Sequence, residues 1–266
     1  MASTAAKLDH VILLLPYENI VDPPSWLTDH FVISPGGLHA DGKTENRLVM
    51  FRDGTYLEII AFINDDPEKR NGHWWDKPYG VVDYALTTSG ELDFDGVNAR
   101  LADTETGISY DKPKEGGRQR PDGVELKWKV TFPQGTERGS VPFWCNDVTP
   151  RQRRVPVTDE ATTHPSGALG VAGVQIEVDS GRVSPLSKAT AAIVGSPTQE
   201  EHRYSIGAPS PVDGSRQPTL RIQALPAKAQ ETLQLALVIQ TPQDNPPADI
   251  RHKVGDGIVS ILFEKS

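Results

Sequence analysis

The chain has 266 residues, a net charge of -9 and a single cysteine, Cys145. No internal disulfide can form, which suits a reducing, cytoplasmic setting. The acidic balance argues against nucleic acid, which needs a cationic surface, and no apolar run is long enough to span a bilayer. The opening stretch Met1 to Lys7 is too short and too polar for a secretory signal. The length allows one compact domain or two small fused ones, with a core that needs no covalent staple.

The 23 glycines and 22 prolines divide the chain into many short segments, the punctuation of a strand-rich protein. Strands are expected near 8–15, 30–34, 46–52 and 55–63. Between the first two, Asp22 can cap a short helix running to His30, with Pro23 and Pro24 in its first turn. His10 interrupts the apolar run of the first strand, and Glu58 that of the last. If those strands pair across a curved sheet, imidazole and carboxylate point into one cavity and make a metal or acid/base site. Alternation puts Glu58 on one face with Tyr56 and Ile60. A carboxylate there needs a cation; without one, apolar walls raise its pKa and suit it to general-base work.

A second block follows. Val81 to Thr88 reads as a strand, and Leu92 to Asp103 as a helix, with Leu92, Val97 and Leu101 near helical spacing. Strands are expected at 123–132 and 141–145, and 111–122 reads as a polar, Gly/Pro-rich loop. After a proline-interrupted linker at 149–166 come a strand at 170–178 and a helix from Pro185 to Val194, capped by Ser184 and stopped by Gly195. Further strands are expected at 203–206, 219–224, 233–240 and 257–264, with a proline-rich loop at 241–250. A β-α-β-β-β pattern thus repeats loosely three times, over 7–65, 78–148 and a divergent 168–266.

Other polar residues stand out against this frame. His39 sits among Gly36, Gly37 and Gly42, which let the backbone bend so that the ring leans over the cavity mouth as ligand or acid/base. Asn46 can hold a carbonyl or cap a turn. His164, before Pro165, either closes the site from the side or belongs to the linker. Trp74, Trp75 and Trp144 can wall a pocket for a flat or apolar ligand, or pack in the core. Arg151, Arg153 and Arg154 read as a solvated loop face, and Cys145 as a buried structural thiol. Phosphate-binding glycine loops, G-x-S-x-G, HExxH and CxxC are all missing from the sequence, which disfavours nucleotide cofactors, serine hydrolysis and structural zinc.

Three segments carry a resemblance: Leu8-Asp9-His10-Val11; Gly36 to Leu48; and Gly54-Thr55-Tyr56-Leu57-Glu58-Ile59-Ile60. Together with Thr163 to Ala168 and the strand after it, they resemble a glyoxalase-like domain of the vicinal oxygen chelate superfamily over most of 7–180. The resemblance implies an α+β fold of repeated β-α-β-β-β modules whose curved mixed sheets enclose a cavity. It also implies a divalent ion (Zn, Mn, Fe, Ni or Mg) held by residues of the first and last strands of each module. His10 and Glu58 match those positions in the first module. In the second they fall near Asp83, which can ligate, and Trp144, which cannot because indole offers only a donor N–H. The set implied is therefore His10, Glu58 and either His39 or Asp83, with positions open for substrate.

The expected protein is an isomerase or lyase acting on a small oxygenated metabolite, monomeric or homodimeric, with Glu58 and His39 as the catalytic pair. Asn46, Trp74, Trp75, Trp144 and His164 line the substrate. The competing expectation is a metal-free protein that sequesters an aromatic small molecule.

Overall fold

The computed structural model of the chain describes residues 5–120, 122–196, 202–227, 229, 231–242, 244 and 246–266. Most of the N-terminal stretch read as no signal, and parts of the loops 111–122 and 241–250, lie outside the described residues. The first unit comprises β1 (Lys7–Leu14), two short turns α1 (Glu18–Val21) and α2 (Ser25–Thr28), then β2 (Ser34–Leu38), β3 (Thr44–Met50) and β4 (Tyr56–Phe62). After α3 (Pro67–Arg70) the second holds β5 (Gly80–Thr87), α4 (Phe94–Ala102), β6 (Ser109–Tyr110), β7 (Lys114–Gln119), β8 (Glu125–Thr131), β9 (Pro133–Gln134) and β10 (Phe143–Asp147). The linker carries α5 (Arg151–Arg154) and α6 (Asp159–Thr162). The remainder is β11 (Gly170–Val178), α7 (Ser180–Val194), β12 (Arg203–Ser205), β13 (Thr219–Ala224), β14 (Leu233–Thr241), β15 (Ile250–Val254) and β16 (Gly257–Lys265).

One pairing rule recurs. β1 lies parallel to β4, β5 to β10, β11 to β13 and β14 to β16. The opening strands then pair with one another antiparallel, β1 with β5 and β11 with β14. The N-terminal half becomes a run β2-β3-β4-β1-β5-β10-β8-β7, joined to the C-terminal half where β16 meets β5. The run curls until its two edges meet, and Arg118 on β7 donates from Nη1 to the Gly36 carbonyl on β2 at 3.1 Å.

Period-two burial explains the layers. On β1 and β4, Val11, Leu13, Leu57 and Ile59 face outward into a core shared with α4 and α7, while Ile12, Leu14, Ile60 and Phe62 face into the curl. Helix α4 supplies Val97 and Leu101, and α7 supplies Leu186, Ala189 and Ile193. Burying one such side chain contributes about 1.5–3 kcal/mol, so the outer core is what holds the two halves together. Among the described residues no helix is long and apolar enough to cross a membrane.

Several expected elements differ. The strand expected at 30–34 falls instead at β2, through Pro35-Gly36-Gly37, a run that reads locally as a loop but is held by pairing with β3. The 111–122 loop contains β7, paired along its length with β8. Helix α2 starts at Ser25 with Pro24 as its N-cap residue, so Asp22 does not cap it. Helix α7 begins at Ser180 behind Asp179 and includes Pro185, although Gly195 ends it as expected, at φ 70°.

Candidate active site

A bulge sets up the site. The register of β1 against β5 slips between Leu8 and His10, leaving Asp9 as the extra residue. A bulge of this kind turns both its residues to one side of the sheet. Asp9 Oδ2 thus meets His10 Nδ1 at 2.6 Å, and the other ring nitrogen, Nε2, lies 3.4 Å from Glu58 Oε2. Tyr56, the register partner of His10 on β4, stacks on the imidazole with centroids 4.6 Å apart.

The neighbouring strands add a third imidazole-reach group and an amide. A Cβ on Gly36 would stand 2.1 Å from Asn46 Oδ1, so only glycine lets β2 approach β3 this closely. The Gly37 N–H then donates to Asn46 Oδ1 at 2.9 Å, which aims Asn46 Nδ2 at Glu58 Oε1, 2.6 Å away. His39, just beyond β2, has Nδ1 2.7 Å from Thr44 Oγ1 and Nε2 3.2 Å from Glu58 Oε1. Its Nε2 is also 3.3 Å from Asn46 Nδ2. Either tautomer of His39 therefore finds partners where it stands. Nε2–H can donate to Glu58 while Nδ1 accepts from Thr44. Alternatively Nδ1–H donates to Thr44 while Nε2 accepts from Asn46.

Burial by itself would push the Glu58 carboxyl up. The His39 hydrogen bond and charge, the His10 charge and the Asn46 hydrogen bond outweigh it and bring the group down to about 2. The expectation of a raised Glu58 is thereby corrected: two imidazoles and an amide, not apolar side chains, meet the carboxylate. Asp9 is likewise buried, yet Arg151, Arg154 and His10 hold it well below the usual carboxylate range. Arg154 donates to both Asp9 oxygens at 3.0 and 3.1 Å, to Asp147 Oδ1 at 2.7 Å and to Tyr56 Oη at 2.7 Å. Arg151 bridges Asp9, Asp147 and the Gly54 carbonyl. Of the arginine cluster read as a solvated face, Arg153 is exposed as expected, whereas the half-buried Arg151 and the buried Arg154 form a clamp behind His10. Its signal was the i, i+3 spacing of Arg151 and Arg154, which a helical turn such as α5 places on one face.

His10, His39, Asn46, Tyr56, Glu58 and Arg154 line a cavity of about 590 Å³. Trp74, Trp75, Trp128, Phe132 and Phe143 form its aromatic side. Trp74 stands at the mouth, 43% exposed, with His73 against its ring at 4.1 Å between centroids. Trp75 lies deeper and donates to Asp83 Oδ2 at 3.1 Å.

Other sequence candidates lie elsewhere. Asp83 is buried and held by Arg138 and Trp75, so it belongs to the wall behind the cavity lining and does not join His10 and Glu58. Trp144 faces the outer core. On β10 the inward residues are its neighbours Phe143 and Cys145, the opposite parity from the one expected. His164 is buried away from the cavity, accepting from the Val32 N–H at 3.0 Å with Nε2 2.9 Å from the Met50 carbonyl, so its place is in the linker packing.

Residues 8–192 match the glyoxalase-like domain family. The chain belongs to that family. Among solved structures, a hypothetical protein from Staphylococcus aureus is similar over 98% of this chain and 100% of its own, at 13% identity and TM-score 0.66. A xylose isomerase-like TIM barrel/4-hydroxyphenylpyruvate dioxygenase fusion protein is similar over 92% of this chain and 37% of its own, at 9% identity and TM-score 0.50. These likenesses show the fold alone. No curated protein matches the chain.

Glyoxalase-like proteins often hold a divalent ion, and two donor sets can be weighed here. Asp9, His10 and Cys145 bring ligand atoms within 4.8 Å of one another. They fit poorly, because Asp9 is consumed by two guanidinium groups and burial pushes the Cys145 thiol far up, keeping it protonated. His10 with Glu58 fits better. A ring whose Nδ1 is fixed on one carboxylate and whose Nε2 faces a second leaves a slot for positive charge, either a ring proton or an ion. His39 Nε2 is the nearest further donor.

Proposed function

We propose that this glyoxalase-like protein is an isomerase or lyase that moves a proton on the carbon beside a carbonyl of a small oxygenated metabolite. The observation carrying this reading is the convergence of His10, His39 and Asn46 on Glu58 in an aromatic-walled cavity. His39 is the proton carrier, because both its tautomers are accommodated without movement. Glu58, held near 2, is too weak a base for that step. Its role is to hold the two imidazoles and to be displaced in part by substrate oxygen. Asn46 Nδ2–H faces the oxygen on which enolate charge develops. A divalent ion, if bound, would be held by His10 and Glu58 and would supply Lewis-acid stabilisation of that charge.

The test is hydrogen exchange in deuterium oxide, followed by proton NMR, across a panel of 2-oxo and 2-hydroxy acids. Exchange at the carbon beside the carbonyl, lost in His39→Gln, supports the reading; exchange that persists in that variant refutes the role of His39. Metal analysis of wild type against Glu58→Ala reads the ion separately. The competing reading, sequestration of an aromatic molecule, is favoured by the five-ring wall and by Trp144, which stands at a ligand position of the second unit, offers only a donor N–H and faces the outer core. It predicts tight binding of an aromatic compound without exchange. The division into 7–65, 78–148 and 168–266 is proposed as well, the last span carrying two of the parallel strand pairs.

A further inference from the structure

Charge around the cavity is matched with one exception near the reacting end. Arg154 and Arg151 are taken up by Asp9 and Asp147, and Arg138 by Asp83. Lys114 lies 3.6 Å from Asp111, and His73 lies 3.6 Å from Asp41. Glu58 faces His10 and His39. Glu115 is left over on the acidic side, but it is exposed at the rim. Arg118 is left over on the cationic side, and it is not at the rim. Among the described residues its one side-chain hydrogen bond, from Nη1 to the Gly36 carbonyl, closes the seam between β2 and β7, and it has no carboxylate partner within ion-pair distance.

Arg118 also stands where two cavities meet. It lines the 590 Å³ cavity beside Glu58 and a second space of about 490 Å³ behind β2 and β3. A guanidinium carries five N–H donors in a planar fork, and one bond to a carbonyl leaves most of that fork unused. Burial lowers its pKa, the cost expected of a cation drawn from water, although the nearby Glu58 charge opposes this. A seam could be closed by an uncharged side chain. A partly buried charge with no carboxylate in ion-pair reach among the described residues instead suits a ligand that brings the negative charge with it.

We infer that Arg118 is a specificity-determining residue that holds an oxyanion of the substrate, so that the substrate class is a planar or aromatic organic acid. Its apolar body lies against Trp75, Trp128 and Phe143, and its acid group takes the free edge of the Arg118 fork. This rests on the proposed reading of the cavity as a substrate site, but it is tested by binding alone and needs no turnover.

The probes are benzoate, phenyl phosphate and the neutral isostere benzamide, titrated into the full chain and followed by the fluorescence of Trp74, Trp75 and Trp128. Wild type is expected to bind at least one anion roughly tenfold or more tighter than benzamide, the worth of one charge-assisted pair. A preference for benzoate identifies a carboxylate, and one for phenyl phosphate identifies a phosphate ester. In Arg118→Met the anion preference is expected to vanish while benzamide affinity holds, which shows that the cavity is intact. Arg118→Lys keeps the charge without the fork, and several-fold of the preference survives; this arm serves if the methionine variant does not fold. The anion preference is read without turnover, so loss of exchange in His39→Gln bears on the reaction and not on this inference. The inference is overturned if wild type binds neither anion at millimolar concentration or binds benzamide equally well. It is also overturned if the preference is lost in Arg138→Gln and kept in the Arg118 variants.

Discussion

Replacing Glu58 by glutamine tests the electrostatics of the site quantitatively. The carboxyl is buried and lies at about 2 against an ordinary 4.5. Each unit of difference corresponds to about 1.4 kcal/mol, so the ionised group contributes about 3 kcal/mol to stability at pH 6. The folded value is depressed, so this contribution is present above pH 4.5 and is lost as pH falls towards 2. Half or more of it should be gone at pH 3, leaving about 1.5 kcal/mol. Glutamine keeps the shape and cannot titrate. Urea unfolding of wild type and Glu58→Gln, at matched m-values from pH 6 to pH 3, reads the gap directly. The gap should shrink on acidification from about 3 to about 1.5 kcal/mol. A gap that stays flat over that range would mean that the imidazoles and Asn46 do not hold the carboxylate, and the site geometry would have to be abandoned.

Asp53, buried where the first unit meets β11, behaves oppositely. Burial raises its pKa to about 6, and its bonds from Thr55 and the Arg151 charge only partly offset this. Its folded value is raised, so its contribution is full below the ordinary value of 3.8 and is lost as pH rises through 6; wild type should lose about 2.5 kcal/mol between pH 4 and 7 that Asp53→Asn does not lose, measured by the same titration. Asp9→Asn leaves the buried Arg154 with Asp147 as its sole carboxylate partner. That should cost about 3–5 kcal/mol in urea unfolding, and a loss below about 1 kcal/mol would show that the clamp is not a buried ion pair.

Much of this protein could be read from local pattern. Short apolar runs marked β1, β4 and β11, and spacing of Leu92, Val97 and Leu101 marked α4 within two residues at its start. The polar interruptions at His10 and Glu58 pointed to the cavity, and the structure brings them to 3.4 Å. The third converging group, His39, was offered there as one of two alternatives.

What stayed hidden depends on parity and on distance along the chain. A period of two says that neighbours face opposite ways, not which of them faces in; hence Trp144 was aimed at the cavity where Phe143 and Cys145 belong. One inserted residue at Asp9 changes the facing of a strand, and no local pattern announces it. Arg154 reaches Asp9 across 145 positions, and Asp83 is taken by Arg138 at 55. Such pairs exist only once the sheet has curled, because a buried charge chooses its partner by space, not by sequence. Sequence alone therefore determined the apolar strands and the two polar residues set within them. Tertiary structure decided which charges those residues meet, and so how acidic Glu58 becomes.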